Sequence, residues 1–471
     1  MYLGFFPLKP DLPVFARLEE DSVLYYTPGL VVRANLAARA AVEAEITGAP
    51  RAPLLVELVR RAEFTRMRWS MLASRPYEPV CLTVYLDNRC NLACGYCYAA
   101  PAGPKSGQAA PTNLAAIRRA AELVAGNCRR QSHRRRRGLP FTGVIHGGGE
   151  PTLDLRLLQA ALAVVEEVAA VENVAAGQRL EIFRYLATNG VMSEAKANWI
   201  AAHFDLIGLS CDGPEDIQRR QRPLPAGGPG STRYVERTAG ILREMDAAFH
   251  VRVTLTPGTL ARQEEIVEYV CQKLAPLEIH LEPVYTGGRE QAGFAAAELA
   301  SPEELAETFV THFLAARALA NAAGIPLRYS GSRPWDVHGP FCQVFRDVLQ
   351  LVPGEVASPC FKLNDSQQVD GLGARIGQDS SNGFVIDQAA VQDLRARLLR
   401  QADECQACFN QFHCARGCPD ACGLESNDPA LPAFRCQVQM RLSGAAIERA
   451  AAGLVVSPGA PLAGATLRME D

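Results

Sequence analysis

The sequence predicts an α/β fold whose centre is a parallel, partly closed barrel of six strands. Six short strand-like runs alternate with amphipathic helical patterns, and such alternation is typical of βαβ units in a parallel sheet. Between two of the runs, apolar residues recur at helical spacing. We therefore expect a partial (β/α)6 barrel of the TIM-like kind, with its helices outside the strands. The strand-like runs are Thr83–Leu86, Gly143–His146, Leu180–Ala187, Leu206–Ser210, His250–Thr256 and Glu278–Pro283. The apolar helical residues are Leu158, Ala161, Leu162, Val165 and Ala169.

The length and composition of the chain limit the classes to which it can belong. A chain of 471 residues exceeds one ordinary domain, and its 48% hydrophobic residues suffice for large cores. The net charge of −3 provides no field that attracts nucleic acid. No apolar run reaches the ~18 residues of a membrane span, and the start at 1–10 is too short for a signal peptide. We therefore expect a cytoplasmic protein with no nucleic-acid or membrane partner.

Four segments of the chain differ in their pattern. Residues 1–76 contain a predicted hairpin followed by helical patterns, which indicates a small N-terminal α+β module of winged-helix size. Residues 77–325 carry the barrel pattern. Residues 326–450 are rich in Gly, Pro and Cys and predict a loop-rich domain, as expected where metal clusters replace a hydrophobic core. Residues 451–471 are expected to form a loose tail.

A basic run between about 127 and 138 interrupts the helical pattern that precedes it. A run of this kind is usually a solvated loop, and we expect a loop here. A docking site for an acidic peptide is the alternative.

Fifteen cysteines are the strongest chemical signal in the sequence. In a cytosolic chain they are not expected to form a disulfide framework, so metal or cluster binding is the default expectation. Three of them lie at 90–97 and eight lie between 342 and 436. The other four are expected to be small buried hydrophobic residues. These four are Cys81, Cys128, Cys211 and Cys271.

Cys90, Cys94 and Cys97 are separated by three and then two residues, directly after a predicted strand. Three thiolates on such a loop can hold one iron–sulfur cubane and leave its fourth iron without a protein ligand. A structural zinc site is the alternative, but zinc prefers four closed ligands and CxxC pairs. The arrangement resembles the CxxxCxxC signature of the radical S-adenosylmethionine (radical SAM) superfamily, including the aromatic Tyr96 before the third cysteine.

This resemblance implies a fold, a cofactor and a reaction. The fold is the radical SAM barrel, and the cofactor is a [4Fe–4S] cluster whose open iron binds S-adenosylmethionine. Reductive cleavage of S-adenosylmethionine gives a 5′-deoxyadenosyl radical, which abstracts a hydrogen atom from the substrate. An electron donor such as a flavodoxin or ferredoxin is implied as a partner, and Tyr96 is implied to lie beside the adenine.

A glycine-rich turn follows the second predicted strand, at the strand ends where barrel enzymes bind their ligands. Gly147, Gly148, Gly149 and Glu150 resemble the GGEP motif of the superfamily. The resemblance implies that this turn holds the methionine amino group, and glycine allows the backbone to approach a ligand closely.

Three further polar residues follow later strands. Asn189 comes after the third strand and Ser210 ends the fourth, and the resemblance implies that they lie near the ribose and the carboxylate. Arg222 lies twelve residues after Ser210 and is implied to pair with the methionine carboxylate, because a guanidinium binds a carboxylate bidentately. An ordinary surface arginine is the alternative for Arg222.

The C-terminal cysteines resemble the SPASM domain, which follows the barrel in many peptide-modifying radical SAM enzymes. The resemblance implies two auxiliary [4Fe–4S] clusters. One departure is visible, because five residues separate Gly354 from Cys360 where four are usual. The implied ligands of the nearer cluster are Cys342, Cys360 and Cys418, and those of the further cluster are Cys405, Cys408, Cys414 and Cys436. A zinc ribbon is the alternative.

The nearer auxiliary site lacks one thiolate by this assignment. Relatives with full ligation carry another cysteine shortly before the position of Cys342, where this chain has Trp335 to Gly339. His338, Cys422 or a substrate atom can complete the site, and the sequence does not choose among them.

The resemblance implies a peptide or protein substrate, and we expect a ribosomally made precursor peptide. A sulfatase-maturing enzyme that forms formylglycine is the alternative. Such enzymes carry an aspartate after the second auxiliary cysteine, whereas Phe361 and Lys362 follow Cys360 here and Asp365 is only nearby. The 1–76 module is expected either to bind the leader of the peptide as an edge strand or to cap the barrel. An iron–sulfur electron carrier is the alternative from another class, but it has no need of an S-adenosylmethionine site.

Overall fold

The computed structural model describes residues 3–97, 111–171, 180–225, 230–284, 301–400, 402–414, 433–451 and 455–456. Two sheets organise these residues, a small one at the N-terminus and a large one of eleven strands. The predicted α/β class with a mainly parallel sheet is confirmed. None of the described helices combines the length and apolarity needed to cross a bilayer.

The N-terminal sheet is an antiparallel meander followed by two helices. Residues 28–29 form the tight turn of the predicted hairpin, where Gly29 has a φ of +85°. Val455 and Val456 of the C-terminal segment pair in parallel with the last strand of this meander. The elements are β1 (Phe6–Lys9), β2 (Leu12–Leu18), β3 (Ser22–Thr27), β4 (Leu30–Asn35), α1 (Arg39–Thr47), α2 (Pro53–Ser74) and β16 (Val455–Val456).

Six parallel strands form the predicted barrel sheet, and each one pairs with the next in chain order. Apolar residues on their outer faces are fully buried against the surrounding helices, which explains why the strand pattern was readable in the sequence. The strands are β5 (Cys81–Tyr85), β6 (Phe141–His146), β7 (Ile182–Thr188), β8 (Leu206–Ser210), β9 (Phe249–Leu255) and β10 (Glu278–Pro283). The helices are α3 (Leu114–Arg135), α4 (Leu155–Ala170), α5 (Glu194–His203), α6 (Glu215–Gln221), α7 (Thr232–Glu244), α8 (Gln263–Tyr269) and α9 (Pro302–Ala322).

The C-terminal region continues the barrel sheet at both of its edges. A short strand, β11, pairs in parallel with β10, and another, β12, pairs in parallel with β5. Three antiparallel strands then extend the sheet beyond β12. The elements are β11 (Leu327–Arg328), α10 (Gln343–Arg346), β12 (Val348–Val352), β13 (Val356–Ser358), α11 (Ser366–Gly371), β14 (Gly377–Ser380), β15 (Gly383–Ile386), α12 (Gln388–Leu398), α13 (Asp403–Gln406) and α14 (Ala433–Ala451).

The N-terminal sheet packs directly against the C-terminal cysteine region. Phe5 stacks on Phe409 with a centroid distance of 4.5 Å. The Tyr26 hydroxyl donates to the carbonyl of Pro334 at 2.6 Å and lies 2.9 Å from Nε2 of His413. One apolar core therefore joins the two ends of the chain.

The expected loop at 127–138 is wrong, because helix α3 continues through Arg135. Cys128 is fully buried on the inner side of this helix, while Arg134 pairs with Glu78 at 3.0 Å. His133, Arg134 and Arg135 form its last turn, where cations interact favourably with the helix dipole. The charges therefore mark the outer face and end of a helix.

Candidate functional site

The first cysteine group lies on the loop after β5, at the edge where the carboxyl ends of the parallel strands meet. Cys90 is exposed, and Cys94 and Cys97 are partly exposed. Two backbone bonds shape the loop: Ala93 donates to the carbonyl of Pro223 at 2.9 Å, and Cys97 donates to the carbonyl of Cys94 at 3.2 Å. The three thiols are therefore held on a folded loop at this edge of the sheet, with Cys90 the most exposed of them.

The predicted glycine-rich turn packs against the start of this loop. The amide of Glu150 donates to the carbonyl of Arg89 at 2.8 Å. A Cβ added to Gly149 would lie 1.9 Å from that carbonyl oxygen, and one added to Gly148 would lie 2.3 Å from Oδ1 of Asn88. Gly148 also has a φ of +85°, which favours glycine. These two glycines thus let the turn approach the cysteine loop; Gly147 is partly exposed beside them.

The Glu150 carboxylate joins the ends of β6 and β7. Its Oε1 accepts hydrogen bonds from the backbone and hydroxyl of Thr152 and from the hydroxyl of Thr188, at 2.7 to 3.0 Å. Its Oε2 accepts from the backbone amide of Asn189 at 2.7 Å. Burial raises the pKa of Glu150, while these four hydrogen bonds oppose the shift. A carboxylate offers about four acceptor sites, so Oε2 can accept one further donor.

Asn189 links the end of β7 to the cysteine loop. Its Nδ2 donates to Oδ1 of Asn91 at 2.8 Å and lies 3.7 Å from Sγ of Cys90. Its Oδ1 accepts from the amide of Val191 at 2.8 Å. The side chain of Asn189 therefore positions the first thiol in this structure.

Asp212 connects two predicted site residues, Tyr96 and Arg222, although it was not itself predicted as a site residue. It is fully buried, and its carboxylate accepts from the Tyr96 hydroxyl at 2.7 Å and from Gln221 at 2.8 Å. It also accepts from the amide of Thr254 at 3.0 Å and lies 3.0 Å from Nε of Arg222. The guanidinium of Arg222 lies 5.4 Å from the centre of the Tyr96 ring.

The contact with Asp212 orients the side chain of Arg222. Arg222 is buried, so it is not the ordinary surface arginine that was the alternative prediction. Burial opposes its charge, but Asp212 keeps the pKa of Arg222 well above its usual value. Its buried Nε makes no hydrogen bond among the described residues, although it lies 3.0 Å from Oδ1 of Asp212. The hydroxyl of Ser210, at the end of the neighbouring strand β8, likewise makes no hydrogen bond within the described part of the chain.

The spacing of the thiols favours a cluster over a single zinc ion. Sulfurs bound tetrahedrally to one zinc at 2.3 Å lie roughly 3.8 Å apart. Within the described ranges, the one group of three potential ligands whose atoms all lie within 4.8 Å contains no cysteine. The cysteine groups are therefore set wider than one ion requires.

The thiols of the first group are nevertheless close enough to affect one another. Burial raises the pKa of Cys94 to about 12, and the thiols of Cys97 and Cys90 add to this shift. Three soft donors at wide spacing fit a cubane cluster, whose binding would displace the thiol protons.

The four cysteines predicted for the further auxiliary cluster also lie close enough to affect one another's pKa. Burial raises the pKa of Cys408, and the neighbouring thiols of Cys414, Cys436 and Cys405 raise it further. Burial likewise raises the pKa of Cys436 to about 12. The turn after α13 and the start of α14 bring these four residues together, against the N-terminal sheet.

Two cysteines of the nearer auxiliary site are adjacent and buried. The amide of Gln343 donates to the carbonyl of Pro359 at 2.9 Å, which brings Cys342 beside Cys360. The Gln350 side chain donates to the carbonyl of Cys360 at 3.0 Å. The predicted ligand Cys418 and the candidate fourth ligand Cys422 both lie outside the described residues.

His338, the other candidate ligand, is partly buried beside the further cysteine group. Its backbone amide donates to the carbonyl of Phe412 at 2.9 Å, and its ring stacks on Phe341. Its Nδ1 lies 2.9 Å from the carbonyl of Gly339, and its buried Nε2 has no hydrogen-bond partner among the described residues. Nε2 is thus a donor atom available to a metal.

The interior of the barrel contains polar residues that the sequence analysis missed. The Tyr185 hydroxyl lies 3.0 Å from Nε2 of His250, whose ring meets that of His280 at 4.7 Å. Burial lowers the pKa of His250 to about 3, and it lowers that of His146 to the same value. The signal was present as polar residues alternating with buried apolar ones in FHVRVTL and EIHLEP of β9 and β10.

Comparison with known proteins identifies this domain. Residues 84–272 match the model of the radical SAM superfamily, and they include the first cysteine loop and all the strand-end motifs. That superfamily implies a [4Fe–4S] cluster and S-adenosylmethionine, which fit the donor set described above.

Relatives and solved structures agree on the fold. A cysteine-type anaerobic sulfatase-maturating enzyme of Clostridium perfringens (strain ATCC 13124) is 28% identical over 127 residues, which is 27% of this chain. The match spans about a third of that relative, 32% of its length. The structure of anSMEcpe with bound AdoMet has a TM-score of 0.60 at 15% identity, covering 80% of this chain and 100% of that one. Its complex with AdoMet and the Kp18Cys peptide gives the same values. Residues 84–272 of this chain therefore form a radical SAM domain.

Proposed function

We propose that the chain is a radical SAM enzyme with a SPASM-type C-terminal region that modifies a ribosomally made peptide. One observation carries this proposal: the loop of Cys90, Cys94 and Cys97 is hydrogen-bonded to residues at the ends of the neighbouring strands. When bound, the cluster and S-adenosylmethionine supply a 5′-deoxyadenosyl radical that abstracts a hydrogen atom from the peptide.

Different residues of the site would bind the cluster, the methionine moiety and the nucleoside. Cys90, Cys94 and Cys97 would hold the cluster. The turn of Gly147, Gly148 and Gly149, with the remaining acceptor site of Glu150, would receive the methionine amino group. The guanidinium of Arg222, which forms an ion pair with Asp212, would bind the methionine carboxylate. Tyr96, Asn189 and Ser210 would line the nucleoside.

The C-terminal cysteines would hold two auxiliary clusters. Cys405, Cys408, Cys414 and Cys436 would bind one, and Cys342, Cys360 and Cys418 the other. Such clusters can take up the electron that oxidation of a peptide radical releases, because their potentials span a wide range. Anaerobically reconstituted protein is then expected to contain about twelve irons, four for each of three cubanes. A content near four irons, with zinc present, would favour a zinc-ribbon C-terminal region.

A peptide substrate is supported by the solved neighbour that carries the Kp18Cys peptide. The match to a sulfatase-maturating enzyme favours formylglycine formation as the second candidate. Phe361 occupies the position at which the aspartate base is expected for that chemistry. The nearby Asp365 accepts from the amide of Gln368 at 2.9 Å as the N-cap of α11, which gives it a structural role. We therefore favour a ribosomal precursor peptide.

The proposal is tested by measuring 5′-deoxyadenosine from S-adenosylmethionine after reduction with dithionite, which replaces a flavodoxin or ferredoxin donor. Cys94→Ala should abolish this product and leave the auxiliary iron in place. Cys271→Ala is the matched control, because Cys271 lies outside every predicted site and should be neutral. Product from Cys94→Ala at the wild-type level would contradict the proposal, and its absence from the wild type would favour an electron carrier.

Two peptides separate the candidate substrates. A cysteine-containing sulfatase peptide should remain unmodified by mass spectrometry, whereas short peptides encoded beside the gene should lose hydrogen. Conversion of the sulfatase cysteine to formylglycine would establish the second candidate instead.

A further inference from the structure

A cavity of about 1010 Å³ lies between the barrel and the C-terminal helix. Its walls come from α9, from β10 and β11, from residues 329–336 and from α14. Helix α14 is fastened over α9 by an ion pair between Arg441 and Glu307. Binding cavities usually measure about 300–1,000 Å³, so this one has room for several residues of a peptide.

The walls of the cavity carry an excess of positive charge. Among the described residues, four arginines and two carboxylates line it, and both carboxylates already have cationic partners. Glu278 is bound by Arg328, and Asp336 lies 3.8 Å from Arg68. Within the described ranges, no ion pair or hydrogen bond involves the side chain of Arg317, Arg333 or Arg449. Three guanidinium groups without an anionic partner in the described part of the chain therefore face one cavity.

Arg317 shows the effect of this imbalance most directly. It is partly buried on α9, with its guanidinium 5.6 Å from the centre of the Phe313 ring. Burial, together with repulsion from Arg449, lowers the pKa of Arg317 to about 10. Two cations that line one cavity, with no anion paired to them among the residues described, are arranged to receive one.

Aromatic side chains line the same cavity. Phe313, Tyr329 and Trp335 contribute rings beside the arginines. This mixture suits a ligand that carries both carboxylates and apolar groups, because guanidinium groups bind the former and aromatic rings cover the latter.

The cavity continues toward the interior of the barrel. Glu278 and His280 line it, and both lie on the inner face of β10, since the alternate residues Ile279 and Leu281 are buried against the helices. A strand of six residues such as β10 spans roughly 20 Å. An extended peptide could therefore reach along β10 from this cavity to the end of the barrel that holds the cysteine loop.

From these contacts we propose that the cavity binds an acidic segment of the peptide substrate, with carboxylates on Arg317, Arg333 and Arg449 and an apolar residue on the adjacent rings. This proposal rests on the proposed function, because it takes the substrate to be a peptide. Because the six-residue strand β10 separates the cavity from the cysteine loop, the acidic segment would lie roughly six residues from the modified residue.

The test is the binding of a short fluorescein-labelled peptide of glutamate and phenylalanine to the cluster-loaded, full-length protein, measured by fluorescence anisotropy. The matched peptide has glutamine in place of each glutamate. The acidic peptide should bind more tightly, and its affinity should fall as salt is added. Arg317→Gln and Arg333→Gln should each weaken it about tenfold. Arg156→Gln, an exposed arginine on α4, is the control and should leave it unchanged.

A charge-reversal variant distinguishes a loss of binding from a folding defect. Arg317→Glu should weaken binding of the acidic peptide and strengthen binding of a counterpart in which lysine replaces glutamate. A folding defect cannot produce that gain. Equal binding by wild type, Arg317→Gln and Arg333→Gln would overturn the proposal, as would competition by inorganic phosphate at concentrations equal to those of the peptide.

The binding test and the test of the proposed function fail separately. Anisotropy requires neither reductant nor S-adenosylmethionine, so it reports on the cavity even if no 5′-deoxyadenosine is formed. If the nucleoside is formed by wild type and by the Arg317 variants alike, but the peptide binds all of them equally, only the cavity proposal is lost.

Discussion

Substituting Gly149 by alanine tests whether contact between the glycine-rich turn and the cysteine loop sets the position of the first thiol. The added Cβ would lie 1.9 Å from the carbonyl oxygen of Arg89, and real Cβ contacts essentially never fall below 3.0 Å. The loop must therefore move by about 1.1 Å, the difference between these two distances. The nearest atoms are backbone, so no flexible side chain can absorb the shift. The displaced residue immediately precedes Cys90.

A misplacement of about 1 Å can cost on the order of a hundredfold in rate. We therefore expect Gly149→Ala to reduce the rate of 5′-deoxyadenosine formation about 100-fold, and overpacking to cost about 1–3 kcal/mol of stability. Chromatography of the nucleoside measures the first effect, and denaturant unfolding measures the second.

Gly240→Ala provides the matched control for this substitution. A Cβ at Gly240, inside α7, would meet nothing within 4 Å, so alanine there should be neutral or stabilising by up to about 1 kcal/mol. If Gly149→Ala forms the nucleoside at more than half the wild-type rate, the contact does not position the cysteine loop and the reasoning fails.

Three further outcomes follow from buried charges and ligands. Asp212→Asn should lower the free energy of unfolding by about 3–5 kcal/mol, because it leaves a buried guanidinium without its anion; a loss below about 1 kcal/mol in urea unfolding would contradict this. If Cys422 completes the nearer auxiliary site, Cys422→Ala should lower the iron content in the absence of peptide. If His338 is the ligand instead, His338→Ala should have that effect. If neither substitution lowers the iron content, a substrate atom is implicated, and adding peptide should change the paramagnetic resonance signal of that cluster. The pKa of His250 is lowered to about 3, so the unfolded chain binds a proton that the folded chain excludes between about pH 3 and 6.5. Stability should thus rise with pH by up to about 1.4 kcal/mol per unit in that window, and His250→Gln should flatten the slope of unfolding free energies measured at pH 5.5 and 6.5.

The barrel was readable from the sequence because each strand buries apolar residues on its helix-facing side. The predicted bounds of β8 and β10, Leu206–Ser210 and Glu278–Pro283, agree with the structure residue for residue. The basic run at the end of α3 was wrongly predicted to be a loop. Its charges hid a helical face on which Cys128 and Val124 are fully buried.

The site was predictable as a set of motifs but not as a set of contacts. The spacing of Cys90, Cys94 and Cys97 is a local property, and the superfamily match includes it. The hydrogen bond between Tyr96 and Asp212 joins residues 116 positions apart, and no local pattern encodes such a bond. The proposed roles of the remaining site residues depend on distant contacts of this kind.

The shared core between the N-terminal sheet and the C-terminal cysteines has a consequence for the order of folding. Tyr26 and His413 are separated by 387 positions, yet they are in direct contact. Contacts of such long range form late and slow the folding of a chain. The N-terminal meander is synthesised before Phe409 and its neighbours, so one face of it stays uncovered until they have been synthesised. If Cys408 and its partners bind the proposed cluster, closure of that core and binding of iron would be coupled, and a substitution at Phe5 should lower the iron content.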